Sequence, residues 1–197
     1  MAIIKFIRIL KKGGTMSQTF ADDFVKYLQG MVGDRGKMAA LRKGLIENQA
    51  QVTWLLLARF LDFDRPYQMK TLQTVGGLFG HNQNNTNTGN FGNLCHQMLD
   101  EDEKQKIARG ESGAISRHFQ YALAAQGEEI FPRVRRLVMR AQKDEIPVNY
   151  VRLTDDLLGW QSSYRRDRIK LEWGKEFWKA KTVPEAKTEE SEVEEDG

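Results

Sequence analysis

Apolar residues recur at helical spacing along nearly the whole chain. The first stripe follows positions i, i+4, i+8 and i+11, on a helix that Ser17 or Thr19 opens, and consists of Phe20, Phe24, Leu28 and Met31. No segment shows the strict alternation of apolar and polar residues that marks a strand, and no turn dipeptide joins two alternating segments. The pattern therefore predicts an all-α fold.

Three more helices are predicted before residue 80. The second helix directs Arg42 and Lys43 away from its apolar side, which consists of Met38, Leu41 and Leu45. Residues 52–61 (VTWLLLARFL) are apolar on nearly all sides, and we expect them to form a central, buried helix. Pro66 suits the first turn of the next helix, which extends to about Phe79. Glycines in and directly after this helix indicate close packing, and they are Gly76, Gly77 and Gly80.

The rest of the chain contains a long loop and six predicted helices. Residues 81–92 are rich in Asn, Thr and Gly, which favours a surface loop. Two short helices follow, one at 93–99 and one that starts at the acidic residues 100–103 and ends at Gly110. The longer helices cover residues 112–125, 128–143, 148–160 and 164–179. The third of these has a well-defined buried stripe, formed by Tyr150, Leu153, Leu157 and Trp160.

We expect two small helical bundles, residues 16–100 and 101–183, with a soft division around 100–111. Residues 184–197 contain seven acids and one lysine, a net charge of −6, and removing them from the total of +3 leaves +9 for residues 1–183. A basic body favours polyanionic partners through counterion release. The acidic tail is expected to be a disordered, solubilising end, or to compete for the basic surface within the same chain.

The first fifteen residues resemble a targeting signal only superficially. Lys5 and Arg8 interrupt the apolar segment, no small-residue cleavage site follows, and the segment is shorter than the roughly 20 residues that cross a membrane. A single cysteine, Cys95, excludes an intramolecular disulfide. We therefore expect a cytoplasmic protein without membrane association, in which residues 1–15 form an N-terminal extension.

The helix near residues 130–143 carries a ridge of cations. Its buried face is expected to consist of Ile130, Val134, Leu137, Val138 and Ala141. A different face carries four cations without an acid among them, namely Arg133, Arg136, Arg140 and Lys143. These charges repel one another unless an anion neutralises them, and arginine binds phosphate oxygens with a bidentate fork. The ridge therefore predicts phosphate contact, with a solvated helix face as the alternative.

The last helix has two apolar stripes and a weaker cationic side. One stripe contains Ile169, Trp173 and Phe177, and a second stripe, which predicts a subunit contact, contains Leu171 and Trp178. Arg168 lies on the cationic side and is a candidate nucleic-acid contact, although Glu172 and Glu176 offer ion pairs. Arg165 and Arg166 occupy the helix start, where the helix dipole disfavours cations. Their position indicates either a role other than helix stability or a favourable tertiary partner.

No catalytic or metal-binding arrangement is visible in the sequence. The three histidines have no metal-ligand spacing with one another or with Cys95; they are His81, His96 and His118. There is neither a GxxxxGK[ST] phosphate loop nor a GxGxxG motif. Asp155 and Asp156 diverge on a helix, which favours capping or ion pairing. We predict no enzyme activity, no cofactor and no metal, and His118 beside Arg117 is either a nucleic-acid contact or an ordinary histidine.

Several motifs occur in a characteristic order along the second half. They are Arg117-His118-Phe119, the RRLV run at 135–138, the L..DLL.W core at 153–160, the arginine pair at 165–166 and a final W..EFW end. GNFGNLCHQM at 89–98 precedes them as a GNLG-type stretch, and residues 17–30 with LRKGL look like an N-terminal helix pair. Over residues 16–180 the chain thus resembles the CasB-type small subunit of the type I-E CRISPR Cascade complex.

The resemblance implies a non-catalytic, all-helical protein of two small bundles that acts in antiviral defence. Two copies would stack beside the large and backbone subunits of Cascade and stabilise the R-loop of guide RNA, target strand and displaced strand. The nucleic-acid contacts implied by position are Arg42, Lys43, Arg117, Arg135, Arg136, Arg165 and Arg166. Residues 1–15 lie outside the family pattern, which would start at Met16, and residues 125–130 lack the Asp-Arg that often stands there.

Periodicity and the resemblance agree on Arg136 as a nucleic-acid contact. Our main hypothesis is a subunit that binds nucleic-acid backbone without sequence specificity, as expected where pairing with a guide supplies recognition. The alternative is an all-α protein–protein adaptor without nucleic-acid contact. It is supported by the two-sided last helix and by the expected exposure of Trp173, Phe177 and Trp178.

Overall fold

The computed structural model describes residues 16–179, with side chains from residue 19. Within this range it contains ten α-helices and no β-strand, which confirms the all-α prediction. The helices are α1 (Met16–Gln29), α2 (Arg35–Arg42), α3 (Trp54–Leu57), α4 (Pro66–His81), α5 (Phe91–Gln97), α6 (Glu101–Ala108), α7 (Ala114–Ala124), α8 (Ile130–Lys143), α9 (Tyr150–Gly159) and α10 (Ser163–Trp178). Short 3₁₀ segments cover Lys43–Leu45, Glu47–Thr53 and Gly127–Glu129. The predicted N-terminal extension and acidic tail lie outside the described residues.

Helix α4, rather than residues 52–61, forms the buried centre of the fold. Every residue of α4 from 71 to 80 is buried. The expected central helix is instead the end of a 3₁₀ segment followed by the single turn α3, and Leu55 in that turn is 89% exposed. The residues of 52–61 that are buried are Thr53, Leu57 and Phe60. The prediction was wrong because a short connection at the surface cannot bury all sides of an apolar run.

Two glycines of α4 allow α2 and the following 3₁₀ segment to approach closely. A β-carbon at Gly77 would lie 2.6 Å from Leu45 Cγ, and one at Gly80 would lie 3.1 Å from Leu41 Cβ. A larger residue at either position would push the two elements apart. The predicted close packing at these glycines is confirmed, and it fixes the position of Arg42 at the end of α2.

Helix α1 packs along α9, so the first helix of the described chain contacts an element from its last third. Phe24 and Leu28 of α1 are fully buried, as are Tyr150 and Leu157 of α9. All four belong to one apolar core, which includes residues from both predicted bundles. The core is therefore continuous across residues 100–111, and the two-bundle division stays a prediction.

The loop after α4 is held by backbone contacts to the segment before α9. Asn82 is buried, and its carbonyl accepts a hydrogen bond of 2.6 Å from the Tyr150 hydroxyl. Val148 donates to the carbonyl of Asn84 at 2.9 Å and accepts from the amide of Thr86 at 3.0 Å. Part of the predicted surface loop is therefore bound to residues 148–150, which its composition alone does not indicate.

Helix boundaries in the second half follow the expected capping chemistry. Asp100 caps α6 by accepting a hydrogen bond of 2.8 Å from the Glu103 amide, and Gly110 follows the helix with a φ of 77°. Helix α5 begins at Phe91, two residues before the predicted start, because Asn90 caps it. The predicted inward stripe is confirmed by the burial of Tyr150, Leu153, Leu157 and Trp160.

Candidate nucleic-acid interface

The cationic ridge predicted for α8 is exposed on the folded protein. The predicted inward face is confirmed by the burial of Ile130, Val134, Leu137, Val138 and Ala141. The exposed residues of the ridge are Arg133, Arg136, Arg140 and Lys143. Arg140 approaches the carboxylate of Asp144 at 3.8 Å, so the C-terminal end of the ridge is partly neutralised. The first turns of α8 carry the stronger positive charge.

Helix α7 places three more side chains beside the start of this ridge. Arg136 Nη1 lies 3.4 Å from His118 Nε2, and the guanidinium carbon of Arg133 lies 5.5 Å from the centroid of the Tyr121 ring. The rings of His118 and Tyr121 have centroids 6.2 Å apart. We call this group the His118 cluster, and its members are Arg117, His118, Tyr121, Arg133 and Arg136.

Three guanidinium groups act on one imidazole in the His118 cluster. Partial burial, followed by the charges of Arg136, Arg117 and Arg133, lowers the pKa of His118. The imidazole is therefore neutral at pH 7, and its Nε2 is able to accept the hydrogen bond from Arg136. Within the described part of the chain, no carboxylate forms an ion pair with these three arginines. An anion bound here would reduce their mutual repulsion.

A second basic group lies where α2, the end of α4 and α8 meet. Arg42 Nε donates to the Gly80 carbonyl at 2.8 Å, and Arg135 Nη1 donates to the Leu45 carbonyl at 2.6 Å. Burial, followed by the charges of Arg42 and Arg135, lowers the pKa of His81. Because a guanidinium has five N–H donors, one contact with a carbonyl leaves donors for a ligand. We call Arg42, His81 and Arg135 the His81 cluster.

The two clusters meet at α8, where Arg135 of one cluster and Arg136 of the other are consecutive residues. Successive residues of a helix point about 100° apart, so the clusters flank α8 on adjacent sides. Lys43, which follows Arg42, is also exposed. The sequence identified the arginines of this surface and missed Tyr121, because only the packing of α7 against α8 brings that ring to the arginines.

Two arginines of α10 are paired with carboxylates of this chain. Arg165 Nη2 lies 3.2 Å from Asp155 Oδ1, and Arg168 Nε lies 3.0 Å from Glu172 Oε1. Arg166 is half-buried, and its Nε has no hydrogen-bond partner among the described residues. The sequence offered two explanations for cations at the helix start, and for Arg165 the explanation by a favourable tertiary partner is correct. Contact of these three arginines with nucleic acid stays a prediction.

Asp156 lies in a buried polar network between α9 and α10. Its carboxylate accepts hydrogen bonds from Trp173 Nε1 at 2.6 Å and from Arg152 Nε at 2.8 Å. Arg152 also pairs with Glu172. Asp156 pairs with Arg152 and Asp155 pairs with Arg165, which confirms the predicted use of both aspartates in ion pairs. Burial raises the pKa of Asp156 to about 6, although Arg152 and Trp173 favour its charged form.

The Asp156→Asn substitution is expected to change how stability depends on pH. The pKa of Asp156 in the folded protein, about 6, exceeds the usual 3.8. The stability that protonated Asp156 contributes is therefore fully present below pH 3.8 and is lost as the pH rises through 6. The variant lacks this loss, and its stability relative to the parent protein should rise by about 2 kcal/mol between pH 4 and pH 7. Urea unfolding at both pH values measures the difference, and a constant difference would contradict the raised pKa.

The predicted subunit contact on α10 is exposed. Leu171 is 59% exposed and Trp178 is 39% exposed, although Trp178 also packs edge-on against Phe119 with ring centroids 5.4 Å apart. Trp173 and Phe177 are completely buried, so the exposure that the adaptor hypothesis expected of them is wrong. Outside α10, exposed apolar side chains that the sequence did not single out include Trp54, Leu55 and Phe63.

The described residues offer no metal site and no reactive thiol. No group of three His, Cys, Asp or Glu side chains in residues 19–179 is placed to hold a metal ion. Cys95 is buried, and burial raises the pKa of its thiol, which makes it a poor nucleophile. His96 Nδ1 lies 2.7 Å from the Phe177 carbonyl and so joins α5 to α10. None of the described helices combines the length and apolar content needed to cross a membrane.

The fold and this surface define an all-helical protein with a broad, arginine-rich face built on α2, α7 and α8. The family model described as CRISPR-associated protein Cse2 matches residues 37–178, and the chain belongs to this family. The matched range includes both the His81 cluster and the His118 cluster. The family resemblance found in the sequence is therefore confirmed.

Solved structures share the fold at low sequence identity. The crystal structure of CasB from Thermus thermophilus is 20% identical with a TM-score of 0.61, and the match covers 85% of this chain and 100% of that chain. For CasB from Thermobifida fusca the identity is 18% and the TM-score 0.59, with 82% and 97% covered. For M. ruber CasB the values are 20% and 0.60, with 81% and 93% covered. No curated protein matches the chain.

Proposed function

We propose that this protein is a non-catalytic small subunit of the type I-E CRISPR Cascade complex that binds nucleic-acid backbone and stabilises the R-loop of guide RNA and target DNA. The observation that carries the proposal is the His118 cluster. Three arginines from two helices converge there, and the carboxylates of the described residues do not neutralise them. Such a surface has the charge and the donors that phosphates require.

Binding at this surface is expected to be independent of sequence. Contacts to phosphate and sugar fix the position of a protein on nucleic acid but carry no direct sequence information. In a guide-directed complex the pairing of guide and target supplies the specificity. The exposed donors at Arg42, Arg135 and Arg136 therefore suit a subunit that holds the strands without selecting them.

Assembly would use a second copy of this chain and the large and backbone subunits of Cascade. Leu171 and Trp178 are our candidates for a subunit contact, because both are apolar and exposed on one helix. Burial of such side chains in an interface removes apolar surface from water. The basic face on α7 and α8 would then remain available to the guide RNA, the target strand and the displaced strand.

A binding titration of the whole chain tests the proposal. The protein is titrated against a labelled single strand of about 40 nucleotides and the matching duplex, over a range of salt concentrations. We expect log K to fall linearly with log salt for the single strand, with a slope of about −0.7 for each phosphate contacted. No binding, or binding that does not respond to salt, would instead support the alternative of an adaptor without nucleic-acid contact.

A further inference from the structure

Positive charge does not explain why Tyr121 is part of the basic surface. It is 47% exposed on α7. Tyr164 is also exposed, whereas Tyr27, Tyr67 and Tyr150 pack against the core. The hydroxyl groups of two of them donate to backbone carbonyls, at 2.7 Å for Tyr27 and 2.6 Å for Tyr150. Tyr121 is instead held at the surface among cations.

The ring of Tyr121 is placed by its two neighbours in the His118 cluster. The Arg133 guanidinium lies 5.5 Å from the ring centroid, within the range of a cation–π interaction. The His118 ring approaches from the preceding turn of α7, with a centroid distance of 6.2 Å and an interplanar angle of 60°. Tyrosine has only two side-chain torsions, so these contacts leave a rigid and partly open aromatic surface at low entropic cost.

We propose that Tyr121 is a stacking position for an unpaired nucleobase, and that it makes this face prefer single-stranded over duplex nucleic acid. The inference rests on the proposed function, since the arginines must first hold the backbone. An aromatic ring beside cationic groups is the combination used to bind single strands, because phosphates pair with the cations while a base stacks on the ring. Bases of a duplex are already stacked on each other and are not available to the ring.

Stacking on Tyr121 is expected to be indifferent to base identity and to salt. Every base has a π face, so a stacked contact tolerates any sequence. The ring carries no charge, so its removal should not change the number of counterions released. These two properties separate the contribution of Tyr121 from that of its arginine neighbours.

The test compares Tyr121→Ala and Tyr121→Phe with the parent protein, using the full chain and fluorescence anisotropy. The probes are a single-stranded DNA, a single-stranded RNA, a duplex, and an abasic strand with the same phosphates but no bases. Phe63→Ala is the matched control, because Phe63 is 60% exposed but lies between Asp62 and Asp64 rather than among arginines. Circular dichroism verifies that each variant is folded.

We expect Tyr121→Ala to weaken single-strand binding by about five- to 150-fold, with no change in salt slope and little change for the duplex or abasic strand. Tyr121→Phe should bind like the parent protein, because it keeps the ring. The DNA and RNA arms show which strand type is preferred.

Equal losses on all four probes, or no loss on single strands, would overturn the stacking position. Either result leaves the proposed function intact if the parent protein still shows salt-dependent binding. Failure of the proposed function is a different outcome, in which the parent protein binds none of the probes.

Discussion

Replacing Gly92 with alanine is expected to lower the free energy of unfolding by about 3 kcal/mol or more. Gly92 lies in the first turn of α5 and faces the backbone of α10. A β-carbon there would lie 2.7 Å from the carbonyl carbon of Trp173 and 2.9 Å from its Cα, with the carbonyl oxygen nearer still. Backbone atoms within a packed helix cannot rotate away, so α5 and α10 would have to separate. Urea unfolding followed by circular dichroism measures the loss.

Gly36→Ala is the matched control for this substitution. Gly36 also lies inside a helix, but it is exposed, and a β-carbon there would meet only Asp34 Oδ1 at 3.4 Å. Alanine is the better helix former, so this variant should gain stability of up to about 1 kcal/mol. If both glycine variants unfolded at the same urea concentration, Gly92 would not be the point of backbone contact between α5 and α10.

The triple substitution Arg117→Ala, Arg133→Ala and Arg136→Ala is expected to weaken single-strand binding by about 100-fold at low salt. The estimate assigns on the order of 1 kcal/mol to each charge-assisted contact with phosphate. If each arginine neutralises one phosphate, the slope of log K against log salt should become shallower by about 2. The three side chains are exposed, so the fold should be retained. The measurement repeats the salt-dependent titration with the parent protein alongside.

The control for this variant removes positive charge elsewhere. Arg65 is paired with Asp62 at 3.2 Å, Arg109 lies 3.9 Å from Glu111, and Lys104 is paired with Glu101 at 2.6 Å, so all three already have carboxylate partners. Replacing these three with alanine changes the net charge equally and should alter affinity and salt slope much less. Equal effects of the two triple variants would show that only total charge matters, and the His118 cluster would lose its special role.

Helix α8 could be predicted almost completely from the sequence. The periodicity alone assigns five of its six buried residues, all but Phe131, and places the four cations of the ridge on a separate face. The stripe of α9 was equally clear. In both cases the pattern is local, and the neighbouring elements need only supply an apolar surface to cover it.

Residues 52–61 could not be predicted in this way. Their hydrophobicity states how much apolar surface they carry, but not whether another element covers it. The glycines of α4 bring α2 and residues 43–45 against the centre of the fold, and α3 is left at the rim with Leu55 exposed. Which apolar segment becomes central is therefore decided by close approach between helices, a property of pairs of elements.

The sequence predicted the charged residues of the candidate site but not its aromatic residue, Tyr121. Tyr121 follows Arg117 by four residues and His118 by three, which is the spacing of one helical face. That signal was available, but its meaning depends on Arg133 from another helix. Arg165 shows the opposite case, because its partner Asp155 lies on α9 and gives it a structural contact that the position on α10 does not reveal.

The packing of α1 against α9 has a consequence for how the protein is made. A ribosome releases α1 before the other described helices, and α9, which packs along α1, follows only after most of the chain has been synthesised. Until then the apolar face of α1 lacks its final partner, and nascent chains with uncovered apolar surface are prone to association. A chain truncated before Tyr150 would carry the same uncovered helix permanently, so shortened products should be the aggregating species in cells.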